Sequence, residues 1–143
     1  MARIFSQKGG TQIAYIQTSM SSRFMQKSIK GEVLFEGIGI HTGKPSSICL
    51  KPAPVDYGIR FFRRDRGTEI AASIDSVRDS RFATTIGSDG VSIRTVEHLL
   101  AALYGLGICN VLIEIEGDEI PALDGSAWVF VKGILEKGVE DQG

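Results

Sequence analysis

The chain has 143 residues, of which 43% are hydrophobic, and its 16 Lys and Arg residues nearly balance its 17 Asp and Glu residues. A chain of this length and composition can bury the core of one domain without disulfides or a structural metal. The formal net charge of −1 gives no broad positive field of the kind that attracts nucleic acid or anionic membranes, so neither partner is expected. No apolar run reaches the roughly 18 residues of a transmembrane helix.

The amino-terminal residues 1–26 are predicted to be a disordered or processed leader. Residues 1–31 contain no Asp or Glu, whereas basic residues such as Arg3, Lys8 and Arg23 lie among Ser, Thr and Gln. This composition loosely matches an organellar transit peptide, although a start at Met25 is the simpler interpretation. We predict a folded domain over residues 27–139.

Cysteine usage indicates the compartment. Cys49 and Cys109 are far apart in sequence, lack CxxC spacing and have apolar neighbours. This pattern predicts two buried free thiols and fits a cytoplasmic protein, with an organellar location as the alternative if the leader is a transit peptide.

Short strands are predicted for the first half of the domain. The segment "SIKGEVLFEGIGI" indicates a strand or hairpin, a short strand follows at residues 47–50, and "YGIRFF" starts another apolar run. The Ser-Asp-Gly sequence at residues 88–90 is typical of a hairpin turn. Candidate inward side chains in the first segment are Ile29, Val33, Phe35, Ile38 and Ile40.

The hydrophobic period then changes to that of a helix over residues 95–104. Leucines recur at three- and four-residue spacing, with Thr95 at the expected N-cap position and Gly105 and Gly107 at the end.

A strand and a second helix follow this first helix. "NVLIEIEG" alternates apolar residues at Val111, Ile113 and Ile115, which predicts a strand. "GSAWVFVKGILEKG" predicts a helix with one apolar face, formed by Trp128, Val131, Ile134 and Leu135. The fold class is therefore predicted as α+β, a two-layer sandwich with one mostly antiparallel or mixed sheet packed against a pair of helices.

Glu97 and His98 stand side by side in the first turn of the first predicted helix. Adjacent helical residues project about 100° apart, so both cannot face the core with Leu99. A structural interpretation is that Glu97 interacts with the positive end of the helix dipole. A catalytic interpretation is a metal hydrolase, in which His98 binds Zn²⁺ and Glu97 takes a proton from the attacking water.

The number of available ligands limits the catalytic interpretation. A catalytic zinc usually has three protein ligands, and the chain has only two histidines, His41 and His98. A site made by His41, His98 and Asp124 stays open, as does a structural role for His41 in its glycine-rich turn. The more natural interpretation is that part of the site lies elsewhere.

Three segments together resemble one family: "GIGIHTGKPSSICLKPAP", "SVRDSRFATTI" and "RTVEHLLAALYGLGICNVLIEIEGDEIPALDGSA". They are similar to the amino-terminal domain of UDP-3-O-acyl-N-acetylglucosamine deacetylase, the zinc amidase of lipid A biosynthesis. The resemblance covers residues 27–139. It implies that Glu97 is the general base and His98 a zinc ligand, and that Arg81, Phe82, Ala83 and His41 lie near the substrate, a UDP-linked acylated amino sugar.

The resemblance also implies a second catalytic domain, whose HKxxDxxGD motif supplies the other two zinc ligands. This motif is absent from the 143 residues, so we expect this chain to have little activity alone. The alternative is a non-catalytic domain that keeps the deacetylase fold and binds a partner or associates with itself through the face that meets the second domain.

Overall fold

The computed structural model describes residues 25–143. The predicted leader therefore lies almost entirely outside the described residues, and the transit-peptide interpretation stays a prediction. Both α-helices found in the described part of the chain are too short to span a bilayer, with nine and ten residues.

The described residues form ten strands, two α-helices and one short 3-10 turn at Ile74–Ser76. The strands are β1 (Gln26–Ile29), β2 (Val33–Ile38), β3 (Pro45–Pro52), β4 (Ile59–Arg63), β5 (Thr68–Ala71), β6 (Val77–Asp79), β7 (Thr85–Ser88), β8 (Val91–Ile93), β9 (Val111–Glu116) and β10 (Val139–Gln142); the helices are α1 (Glu97–Gly105) and α2 (Trp128–Lys137).

The main sheet has five strands in the order β2-β3-β9-β4-β5. Its pairs are antiparallel except for β4 and β9, which run parallel, so the sheet is mixed as expected. Strands β6, β7 and β8 form a separate antiparallel sheet, and β1 pairs with β10 in a two-stranded one. The α+β prediction is confirmed, with two small sheets added to the predicted one.

One hydrophobic core joins the main sheet to both helices. The alternation predicted for β9 is confirmed, because Val111, Ile113 and Ile115 are fully buried. Helix α1 contributes Leu99 and Leu103 to the same cluster. The start of α1 is thereby held against the sheet.

The apolar face predicted for α2 is partly wrong. Ile134 is buried and Val131 packs against the core, as predicted, but Trp128 and Leu135 are more than half exposed. Phe130, which is not among the predicted residues, is buried in their place. The ring of Phe130 packs edge-on against Phe35 with centroids 5.0 Å apart. Gly133 lies on the same side of α2, where an added Cβ would come within 2.8 Å of the Phe35 ring. The absence of a side chain at Gly133 therefore lets this face of α2 pack closely against Phe35.

Two further burial predictions are also wrong. The cysteines are free, but Cys109 is exposed and Cys49 is half-buried. Cys49 lies between Ile48 and Leu50 on β3, so it points to the opposite side of the sheet from these core residues. The first segment is inward only up to Phe35, because Ile38, the last residue of β2, is 55% exposed and Ile40, in the turn that follows, is 63% exposed.

Candidate functional site

Helix α1 begins at Glu97, two residues later than predicted, and Thr95 is not its N-cap. Val96 takes the N-cap position and makes no side-chain capping bond. Thr95 has a φ of 59° and donates its hydroxyl hydrogen bond to Glu119, at 2.7 Å between Oγ1 and Oε1. The Thr95 hydroxyl, which the sequence pattern predicts to cap the helix, therefore forms a hydrogen bond with a buried carboxylate.

Glu97 is half-buried at the first position of α1 and reaches the segment that precedes β7. Its Oε2 accepts a hydrogen bond from the backbone N–H of Thr84 at 3.0 Å. The carbonyl of Thr84 in turn accepts the N–H of Val96 at 3.3 Å. The segment that carries Arg81, Phe82 and Ala83 is thus tied by its last residue to the start of α1.

His98 is half-buried beside Glu97, and its imidazole makes no hydrogen bond to any residue in the range 25–143. Asp124 lies close enough for the two charges to interact. The N–H and hydroxyl of Ser126 hold the pKa of Asp124 below its usual range, and the charge of His98 adds a smaller effect of the same sign.

A complete metal site is not assembled by the described residues. Within residues 25–143, no group of three or more His, Cys, Asp and Glu side chains could hold a metal ion. The self-contained site of His41, His98 and Asp124 is therefore not supported. His98 nevertheless fits one position of a zinc site, because neutral imidazole is a common zinc ligand and its ring nitrogens are not engaged in this part of the chain.

The four predicted substrate-binding residues line one open cleft of about 350 Å³. Its walls come from the turn after β2, from the segment between β6 and β7, and from β8 and the residue after it. Glu97 and His98 are not among the lining residues, although the Thr84 contact connects Glu97 to one wall. The full lining set is His41, Asp79, Arg81, Phe82, Ala83, Thr85, Ser92 and Arg94.

The charges in the cleft are unequally compensated. The Arg81 guanidinium pairs with Asp79, at 2.9 Å between Nη2 and Oδ2, and this pairing holds the pKa of Asp79 far below its ordinary value. The Arg94 side chain is exposed and forms no ion pair within the described range. Phe82, at 88% exposure, presents its ring to solvent at the same cleft. An anionic ligand with a flat or apolar group would match these side chains.

The sequence interpretation missed Glu119, which is fully buried and is hydrogen-bonded to the backbone of His41, a residue that lines the cleft. Besides Thr95, its carboxylate accepts the backbone N–H of Thr42 at 2.8 Å and that of His41 at 3.1 and 3.2 Å to its two oxygens. Burial raises the pKa of Glu119, but the hydrogen bonds from Thr95, His41 and Thr42 outweigh that effect and leave the pKa below its ordinary value.

The acidic stretch around Glu119 contains no signal that distinguishes it from its neighbours. Glu116 is the last residue of β9 and Glu119 follows three residues later, yet Glu116 is exposed and Glu119 is buried. Gly39 does not reveal it either, because the overlap of an added Cβ with Oε2 of Glu119 appears only in the folded chain.

Comparison with known proteins agrees with the fold and the motifs. Residues 26–143 match the family model LpxC, described as UDP-3-O-acyl N-acetylglycosamine deacetylase.

Relatives named UDP-3-O-acyl-N-acetylglucosamine deacetylase include proteins from three bacteria. The one from Thermodesulfovibrio yellowstonii is 55% identical over 118 residues, which are 82% of this chain and 40% of the relative. The one from Nautilia profundicola is 45% identical over 116 residues, 81% of this chain and 40% of the relative. The one from Anaeromyxobacter dehalogenans is 44% identical over 115 residues, which are 80% of this chain and 37% of the relative.

The chain thus spans about two fifths of the length of the curated relatives that it matches. The match covers the described fold almost from end to end, including the cleft, the start of α1 and Glu119. The chain belongs to the LpxC family, the UDP-3-O-acyl N-acetylglycosamine deacetylases.

Proposed function

We propose that this chain supplies the general base and one zinc ligand of an enzyme that hydrolyses the N-acetyl amide of UDP-3-O-acyl-N-acetylglucosamine in lipid A biosynthesis. The observation that carries the proposal is the start of α1, where Glu97 and His98 are consecutive residues of the first turn and the His98 imidazole makes no hydrogen bond within residues 25–143. The names of the relatives supply the substrate.

His98 would hold the zinc, which when bound would supply Lewis-acid polarisation of the acetamide carbonyl. Glu97 would accept a proton from the water that attacks this carbonyl, as a general base does. Its Oε2 is held by the N–H of Thr84, which orients the carboxylate, while no hydrogen bond within the described residues engages Oε1. The products would be acetate and the free amine.

His98 and Glu97 together cannot complete a zinc site, since a catalytic zinc usually has three protein ligands. We propose that the missing ligands come from the portion of the enzyme that the relatives have and this chain does not match. The chain alone is then expected to bind zinc weakly and to turn over little substrate. The free thiols of Cys49 and Cys109 are compatible with a location in the reducing cytoplasm.

The cleft lined by His41, Arg81, Phe82 and Ala83 would receive the nucleotide-linked sugar. Its volume, about 350 Å³, lies within the usual range for small-molecule pockets. Arg94 offers a charge for an anionic part of the substrate, and the exposed ring of Phe82 offers a surface for a flat or apolar group.

The proposal is tested with a fusion of this chain to the portion of the T. yellowstonii relative that it does not match. We expect the fusion to release acetate from UDP-3-O-acyl-N-acetylglucosamine and to contain about one zinc per chain. The His98→Ala fusion should lose both zinc and activity. A fusion that folds and binds zinc but releases no acetate would contradict the proposed reaction.

A second candidate function is self-association of the chain. It is favoured by the exposed side chains of Ile38 and Ile40, which border a groove that also includes Ala122 and Leu123. Light scattering decides this candidate, since a monomer at high protein concentration would contradict it.

A further inference from the structure

The buried carboxylate of Glu119 connects two segments that are far apart in sequence. One is the turn after β2, residues 39–44, and the other is Thr95, immediately before α1. A buried carboxylate is costly unless its oxygens are hydrogen-bonded or paired with a cation. No ion pair with Glu119 occurs among residues 25–143, so three neutral donors compensate its charge.

The first connection holds the backbone just before α1 in an unfavourable conformation. Thr95 has a φ of 59°, which is rare for a β-branched residue and persists only where its surroundings hold it. Its hydroxyl bond to Glu119 supplies one such restraint, and a second is the backbone pairing of Arg94 with Glu119. Thr95 directly precedes Val96, the N-cap residue of α1, so a change in its backbone conformation would redirect the start of the helix and with it Glu97 and His98.

The second connection holds a wall of the cleft. The N–H groups of His41 and Thr42 both point at the carboxylate of Glu119, so the turn is closed around it. Gly39 leaves the space that Oε2 occupies, because any Cβ at that position would overlap it. The backbone of His41, a residue that lines the cleft, is therefore hydrogen-bonded to the same carboxylate as the Thr95 hydroxyl.

We propose that Glu119 is a positioning residue, which keeps the His41 wall of the cleft and the Glu97–His98 pair in one fixed arrangement. It acts through Thr95 and through the turn at residues 39–44. The role rests on the deacetylase function proposed above, since that function is what requires the cleft and the pair to work together. The coupling of the two segments, however, is a property of this chain and can be measured without catalysis.

The test is NMR spectroscopy of the 143-residue chain and its Glu119→Gln variant. Glutamine keeps the shape of the side chain, but its NH₂ group cannot accept the hydrogen bonds that one carboxylate oxygen accepts. The amides of His41 and Thr42 should then exchange at least about tenfold faster, since a hydrogen bond to a charged group is worth more than a factor of ten. The chain has only two histidines, so both imidazole signals can be assigned and both should shift.

Glu116→Gln is the matched control, because it makes the same chemical change at an exposed glutamate three residues earlier. It should leave the His41 and Thr42 amides and both imidazole signals unchanged. Amides of β3 and β9 should stay protected in both variants. Unchanged signals of either His41 or His98 in Glu119→Gln would overturn the coupling.

A pair of variants at Thr95 keeps the test valid if Glu119→Gln does not fold. Thr95→Val removes the hydroxyl and keeps the side-chain shape, whereas Thr95→Ser keeps the hydroxyl. Thr95→Val should shift the signals of His41 and Thr42, although Thr95 has no hydrogen bond to that turn, and Thr95→Ser should not. Equal spectra of the turn in the two variants would overturn the proposal.

Activity in the fusion separates this proposal from the deacetylase function. If the unsubstituted fusion is active, Glu119→Gln should lower kcat/KM by about ten- to a hundredfold, because small displacements of catalytic groups are costly. We expect kcat to fall and KM to rise, since both the Glu97–His98 pair and the His41 wall of the cleft would be displaced. Unchanged kinetic constants would overturn the positioning role. An unsubstituted fusion that folds and binds zinc but is inactive would contradict the deacetylase function and not the coupling seen by NMR.

Discussion

Two glutamates near the start of α1 have contrasting surroundings. Glu97 is half-buried and, within residues 25–143, accepts one hydrogen bond, from the backbone of Thr84, on one of its oxygens. Glu119 is fully buried, and its two oxygens together accept hydrogen bonds from Thr95, His41 and Thr42. Among the described residues, one oxygen of Glu97 accepts no hydrogen bond, whereas both oxygens of Glu119 accept hydrogen bonds from the protein.

The difference shows why the same side chain can have opposite roles. A general base must gain a proton without disrupting the fold, and a carboxylate with few partners meets that condition. Protonation of Glu119 would weaken three hydrogen bonds that hold two segments together. We therefore expect Glu97 to control the rate of the reaction and Glu119 to control the structure of the site.

The largest expected effect is on turnover. Glu97→Gln in the fusion with the T. yellowstonii portion should lower kcat by about two to four orders of magnitude, the range for loss of a general base. Zinc content should stay unchanged, because His98 is intact. Acetate release and metal analysis measure the two quantities, and a variant with normal turnover would remove Glu97 from the mechanism.

The next effect is on stability. Here we expect the substitution of Glu119 to have a larger effect than that of Glu97, the reverse of their expected effects on turnover. Glu119→Gln should lower the free energy of unfolding of the chain by about 2–4 kcal/mol, because buried backbone N–H groups lose charged partners. Glu97→Gln should lower it by about 1 kcal/mol or less, since it weakens one hydrogen bond and a helix-dipole interaction. Urea denaturation at pH 7 compares them. Equal losses would show that the two sites differ less than their burial indicates.

A smaller effect is the pH dependence of the stability that Glu119 contributes. The pKa of Glu119 is lower in the folded chain than its ordinary value, so its contribution to stability is complete above that value and is lost as the pH falls through the folded pKa. The stability difference between the wild type and Glu119→Gln should therefore shrink as the pH falls from about 5 to about 3. Urea midpoints across this range measure it. A difference that grows in acid would mean that the pKa is raised.

The smallest expected effect on stability is at the exposed ion pair in the cleft. Arg81→Ala removes a pairing with Asp79 that lies in solvent, and such pairs contribute little. The urea midpoint should stay within error of the wild type, while KM of the fusion should rise if the cleft receives the substrate. Lys132→Ala, which removes another exposed ion pair away from the cleft, is the control and should change neither quantity.

Much of the fold could be predicted because its signals are local. The alternation in β9 and the leucine spacing in α1 each depend on which face of one element is apolar, and both predictions agree with the buried residues. The polar sequence of β10 contains no such signal, so its pairing with β1 became visible only in the structure.

The sequence by itself determined the α+β class, the mixed sheet with its two helices, and the adjacent Glu97 and His98 at the start of a helix. Tertiary structure alone decided that α2 buries Phe130 in place of Trp128, and that Thr95 bonds to Glu119 in place of capping α1. Periodicity follows from the geometry of one element. The approach of α2 to Phe35 and the burial of Glu119 depend on segments distant in sequence, and only the folded chain brings them together.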